Sequence, residues 1–103
     1  MIYMNPLDVF YKEAPEVATA FDGLIDALKA TNGVDGKTKQ LIYIALKATN
    51  ADVTAITFHV AMAKQLGATR EEVRDAILIT LTTCGLTGVA SCLPKAMEIF
   101  DAA

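Results

Sequence analysis

The sequence predicts an all-α fold of about six helices. Three observations carry that expectation. Apolar residues recur at steps of three and four along most of the chain. Capping residues and glycines fall between those stripes. No stretch alternates apolar and polar residues convincingly over the length of a strand. At 103 residues the chain is expected to form one domain. Residues 1–34 would supply N-terminal helices and residues 35–102 the rest of the bundle.

The elements follow in order. Asn5 before Pro6 reads as an N-cap and a first-turn proline, opening a short helix to about Lys12. Pro15 opens a second, with Val17, Phe21, Leu24, Ile25 and Leu28 on one stripe. The segment "TNGVDG", Thr31 to Gly36, ends it. A third helix, about Lys37 to Thr49, is apolar on nearly every face after its first turn and is expected to be central. "TNAD" breaks it, and Asp52 can cap a fourth helix over about Val53 to Leu66, which Gly67 closes. Thr69 and Glu72 form a capping-box pattern that opens a fifth, about Arg70 to Thr83. After Gly85 to Gly88 a sixth runs to about Asp101, with Val89, Leu93, Ala96, Met97 and Phe100 on one stripe.

Composition narrows the function classes. Hydrophobic residues make up 53% of the chain and charged residues 20%, a more apolar balance than the usual half and quarter. A small domain has little interior to hide that surplus. Part of it is expected in contacts between copies, so the partner expected is the chain itself, as a homo-oligomer. Net charge is −3 and the basic residues are scattered, which gives nucleic acid no footprint. The amino-terminal stretch "MIYMNPLDVFYKEAP" lacks the pattern of a signal peptide. With two cysteines and no such signal, a reducing cytoplasm is the expected compartment. Ala76 to Pro94 carries no charge and is long enough to raise a membrane span, but four threonines, a serine and two glycines dilute it, so no membrane span is expected.

Few residues can carry chemistry. His59 is the single histidine, and its imidazole could work as a base, an acid or a proton shuttle near neutral pH. Ala55, one turn earlier, leaves space beside the ring. Asp52, two turns earlier on the same face, is about 10 Å away in rise and needs a ligand or water to reach the ring. A buried, hydrogen-bonded core histidine is the competing reading. One histidine without convergent Cys or carboxylate partners does not make a zinc site, and no cofactor is expected. Cys84 and Cys92 form no CxxC pair and read as small buried hydrophobes. Glu71, Glu72, Arg74 and Asp75 read as a solvated helix face.

The stretch "KTKQLIYIALKATNADVTAITFHVAMAKQLGATREEVRDAIL", Lys37 to Leu78, resembles the carboxymuconolactone decarboxylase family, which includes the alkyl hydroperoxidase D-like proteins. "KTKQLI", "TNAD", His59, "LGATREEV" and "DAIL" match the family's pattern in order and spacing. "TCGLTGVASCLPKAMEIFD", Thr83 to Asp101, is similar to the segment that follows in the decarboxylase branch. In the redox branch two cysteines form an attacking and a resolving pair, while a glutamate and a histidine move protons. By that resemblance the cysteine positions fall on Asp52 and Ala55, the glutamate position on Gln40 and the histidine on His59. Without a thiolate at the first two positions, CxxC-dependent peroxidase chemistry has no nucleophile there. The resemblance also implies a helical protomer that pairs, with dimers often gathered into a trimer of dimers, a hexamer.

Two main expectations follow. The chain is a cofactor-free acid–base enzyme on a small carbonyl or carboxylate compound, using His59 with Gln40 and Asp52. Alternatively it is a non-catalytic oligomeric scaffold or binder of a small molecule. A peroxiredoxin-like activity rests on resemblance alone, and a thiol activity of Cys84 ranks last because no basic residue lies between Arg74 and Lys95.

Overall fold

A computed structural model describes residues 6–103. Asn5, expected to cap the first helix, lies outside them. Seven helices are present among the described residues: α1 Pro6–Glu13, α2 Pro15–Ala30, α3 Gly36–Thr49, α4 Val53–Gln65, α5 Arg70–Leu78, α6 Leu81–Cys84 and α7 Thr87–Ala102. No strand occurs among them. The chain divides into two compact units, Met1–Gly33 and Val34–Ala103.

In the first unit α1 and α2 pack together. Phe10 meets the edge of Phe21 at 5.9 Å between ring centroids, and the Tyr11 hydroxyl donates to Asp22. Pro15 stands at the start of α2, where its missing N–H costs no bond. The expected stripe of α2 stays largely exposed at Val17, Phe21, Leu24 and Leu28, and Ala18 is its one fully buried residue.

The second unit holds a continuous core. Ile44 and Ala48 of α3, Ile56, Val60 and Ala63 of α4, Val73 and Ile77 of α5, and Cys92 and Ala96 of α7 have no exposed surface. Burying each of the larger side chains contributes about 1.5–3 kcal/mol. α3 packs against α4, α5 and α7, and α7 packs against α3, α4, α5 and α6, so α3 is central, as its apolar composition predicts, but shares the centre of this unit with α7. Ion pairs brace the rim: Lys37 with Glu72 at 3.1 Å and Arg70 with Asp101 at 2.9 Å. Both are exposed to solvent and contribute little to stability. Glu72 is therefore more than part of a solvated face. Its carboxylate accepts from the Thr69 N–H while the Thr69 side chain accepts from the Glu72 N–H, completing the capping box. That backbone bond, with Lys37 beside it, holds the Glu72 carboxyl below its usual range.

Two turns share one design. After α3, Ala51 N–H donates to Ala48 O and Asp52 N–H to Lys47 O. After α4, Gly67 N–H donates to Lys64 O and Ala68 N–H to Ala63 O. Both are Schellman closures, with the left-handed residue at Ala51 (φ 54°) and Gly67 (φ 94°). Asp52 then begins α4, its Oδ1 accepting from the Ala55 N–H at 3.0 Å.

Two expectations need correction. The fifth helix does not run unbroken to Thr83; it ends at Leu78 and a four-residue α6 follows. Thr80 explains the break. Its N–H and its hydroxyl both donate to Ile77 O, at 3.1 and 2.7 Å, which tightens the chain into a three-residue turn. Gly88 is also not a breaker, because α7 already begins at Thr87. A Cβ at Gly88 would lie 2.6 Å from the carbonyl oxygen of Ala48, so glycine is present to let α7 touch the backbone of α3. Gly85, at φ 70°, makes the turn between α6 and α7. The uncharged stretch Ala76 to Pro94 is thus divided among three helices, and none of the described helices is long and apolar enough to cross a membrane.

Candidate functional site

Along α3, Gln40, Tyr43 and Lys47 stand at intervals of three and four residues, on one face of the helix. Along α4, Asp52, Ala55 and His59 do the same. The two helices pack against each other through the turn at Ala51 and Asp52. A polar strip results between two otherwise apolar helices, with all six residues half-buried.

His59 is the centre of this strip. Its Nδ1 lies 2.8 Å from Oε1 of Gln40. With the amide oxygen turned to the ring, Nδ1 donates to it and Nε2 is the lone-pair nitrogen; the opposite amide orientation would exchange these roles. The phenol ring of Tyr43 stacks on the imidazole at 5.0 Å between centroids and 18° between planes. One contact sets the rotation of the ring and the other covers one of its faces. Burial depresses the His59 pKa below its ordinary value, Lys47 depresses it further, and Asp52 opposes them. The net direction keeps the imidazole neutral near pH 7 and suits it to take a proton rather than to give one first.

The sequence-predicted residues are brought together unequally. Gln40 and His59 touch. Asp52 does not touch the ring; one of its oxygens caps α4 through Ala55 and the other lies 3.8 Å from Lys47 Nζ. Its charge is thereby turned toward the backbone and a cation. Ala55 leaves only a methyl between Asp52 and His59. Tyr43 and Lys47 were not anticipated. Their spacing from Gln40 is the signal that would have found them, once α3 and α4 are taken as neighbours.

The cysteines lie apart in character. Both are free thiols, with Cys92 buried in the core and Cys84 half-buried beside Gly85. Burial, then the charge of Asp52, pushes the Cys92 thiol up, away from the reactive thiolate. Among the described residues no three His, Cys, Asp or Glu side chains converge as metal ligands.

Comparison with known proteins places the chain among relatives of similar length and fold. The chain is 30% identical over 96 residues to an uncharacterized protein of Methanocaldococcus jannaschii, spanning 92% of this chain and 88% of the relative. It is 30% identical over 88 residues to an uncharacterized protein of Cupriavidus necator, spanning 85% and 77%. Among solved structures it is similar to the apo form of a carboxymuconolactone decarboxylase family protein from Legionella pneumophila. The TM-score is 0.82 and the identity 32%, over 93% of this chain and 85% of that one. The sequence model of the carboxymuconolactone decarboxylase family matches residues 15–98, and the chain belongs to that family.

Proposed function

We propose that this strip is a cofactor-free acid–base site acting on a small carbonyl or carboxylate compound, with His59 as the base. The observation that carries the reading is the 2.8 Å contact between Gln40 Oε1 and His59 Nδ1. With the amide oxygen toward the ring, it supports the tautomer in which Nε2 can accept a proton. In the reaction, Nε2 takes a proton from the carbon beside a carbonyl, and the electron pair of that C–H bond moves onto the carbonyl oxygen. The resulting imidazolium returns the proton to the same or a neighbouring carbon. For an acid that loses carbon dioxide, the electron pair of the broken C–C bond would move onto the carbonyl oxygen, and His59, first protonated from solvent, would deliver that proton to the carbon left behind. Gln40 holds the ring throughout and cannot itself exchange a proton as a glutamate could. Aspartate and alanine at positions 52 and 55 supply no thiolate, so CxxC peroxidase chemistry is not part of this proposal.

The test uses the single histidine. Wild type and His59→Gln are incubated in heavy water with a panel of small oxo acids, lactones and hydroperoxides. Loss of carbon-bound protons is followed by NMR. Base catalysis predicts exchange with at least one carbonyl compound, falling about 100-fold or more in His59→Gln. Exchange that persists in the variant would remove His59 from the chemistry. Hydroperoxide turnover lost in Cys84→Ser or Cys92→Ser would favour a thiol activity instead.

A second reading has its own support. Ile79 and Leu86 are each 67% exposed, and Ile42, Leu46 and Leu81 are exposed too. That apolar surface is what an oligomeric scaffold of identical chains would cover. An assembly that survives His59→Gln unchanged, with no exchange by the wild type, would leave the scaffold reading alone.

A further inference from the structure

The acid–base reading leaves open how a ligand is held, and the geometry points to a residue for that task. We propose that Lys47 is the anion-binding residue of the strip, seating the carboxylate of a short-chain acid so that its reacting carbon lies at Nε2 of His59. The inference rests on the acid–base reading and adds its substrate class.

Lys47 stands one turn beyond Tyr43 on the same face of α3, and Tyr43 is the residue stacked on His59. Across the strip stands Asp52, two turns before His59 on α4. The Lys47–Asp52 pair and the imidazole are therefore separated by one to two helical turns, about 6–10 Å. Ala55 lies in that interval and presents only a methyl. That separation is of the size of an acid of a few carbons.

The partnership of Lys47 is of the kind that a ligand can replace. Its Nζ lies 3.8 Å from Asp52 Oδ2, beyond hydrogen-bond distance, and the two side chains are 36% and 41% exposed. An ion pair this long and this exposed adds little to stability. Asp52 does not need it in order to stay in place, because Oδ1 is held by the Ala55 N–H. A carboxylate at hydrogen-bond distance from Nζ makes a shorter, charge-assisted contact, and Asp52 remains as the cap.

The two sites are also electrically coupled. The charges whose fields reach His59 are Lys47, which disfavours its protonation, and Asp52, which favours it. An anion bound at Lys47 offsets the first of these fields and must raise the His59 pKa. By linkage, protonated His59 then binds the anion more tightly.

The experiment follows the carbon-13-labelled imidazole by NMR from about pH 5 to 9. Acetate is exchanged for chloride at constant ionic strength, so that screening stays fixed. The proteins are wild type, Lys47→Arg, Lys47→Met and Lys47→Gln. The expected result is a His59 pKa that rises saturably with acetate in wild type and Lys47→Arg. In Lys47→Met and Lys47→Gln it starts higher and does not respond; the second variant repeats the test on a polar side chain should the first not fold. A titrating ring that ignores acetate, or an uncharged variant that responds like wild type, overturns the proposal and leaves the acid–base reading standing. A ring that never titrates overturns both.

Discussion

The two faces of α3 differ in how they meet their neighbours. One carries Ile44 and Ala48, with no exposed surface, and closes to backbone contact at Gly88 of α7. The other carries Gln40, Tyr43 and Lys47, all half-buried, and meets α4 through a hydrogen bond, a ring stack and a loose ion pair. The first face is held by shape and has no slack. The second is held by contacts that a ligand can exchange for its own. One helix thus supplies both the rigid reference and the adjustable surface, because consecutive residues lie about 100° apart around its axis.

The contrast can be broken most severely at Gly88. Gly88→Ala places a methyl 2.6 Å from a backbone oxygen, which cannot rotate away as a side chain could. Unfolding in urea should show a loss of about 3 kcal/mol with an unchanged slope. Next comes the polar face. Tyr43→Leu removes the stack and should cost about 1 kcal/mol, while Tyr43→Phe should cost little; a larger loss in the Phe variant would mean that the hydroxyl, not the ring, matters there.

The link between the faces offers a change of opposite sign. Ala51 sits at φ 54°, where an L side chain is strained, in the position that Gly67 occupies in the other Schellman turn. Ala51→Gly should stabilise the chain by about 0.5–1 kcal/mol, and Gly67→Ala should destabilise it by a similar amount. Equal midpoints for wild type and Ala51→Gly would show that the strain is absorbed elsewhere. The smallest effect is that of pH. A histidine whose folded pKa lies below its unfolded value binds fewer protons folded than unfolded as pH falls through about 6.5. Stability should therefore decline as pH drops below that point and level off below the folded pKa. Comparing the pH dependence of wild type and His59→Gln isolates the contribution, since the variant should lose this component.

Local chemistry was legible in the sequence, while contact geometry was less so. Asp52 and Thr69 announce helix starts because an oxygen at that position satisfies an otherwise orphaned N–H, whatever the tertiary fold. The end of α5 was missed because the break comes from a threonine bonding back to its own helix, and threonine at Thr80 looks like any other in a threonine-rich stretch. Gly88 was misread for a related reason: a glycine that permits close packing and one that turns the chain are the same letter. His59 stood out as the single histidine and Gln40 through the family's spacing, and the structure brings the two into contact. Tyr43 and Lys47 were passed over because each reads alone as an ordinary half-buried helix residue, and only the pairing of α3 with α4 gives them a common neighbour.

Asp52 serves two helices at once, its N–H closing α3 on Lys47 O and its Oδ1 opening α4 at Ala55. This sets the count of residues between the two helices, because both bonds can form together only at one spacing. One residue inserted after Asn50 would either unseat Asp52 from one of its duties or turn α4 by about 100°, carrying His59 away from Gln40. Changes of length are therefore costly at this turn and cheaper in the exposed segment 31–35, so relatives that keep the strip should differ in length there and hold the distance from Lys47 to His59 constant.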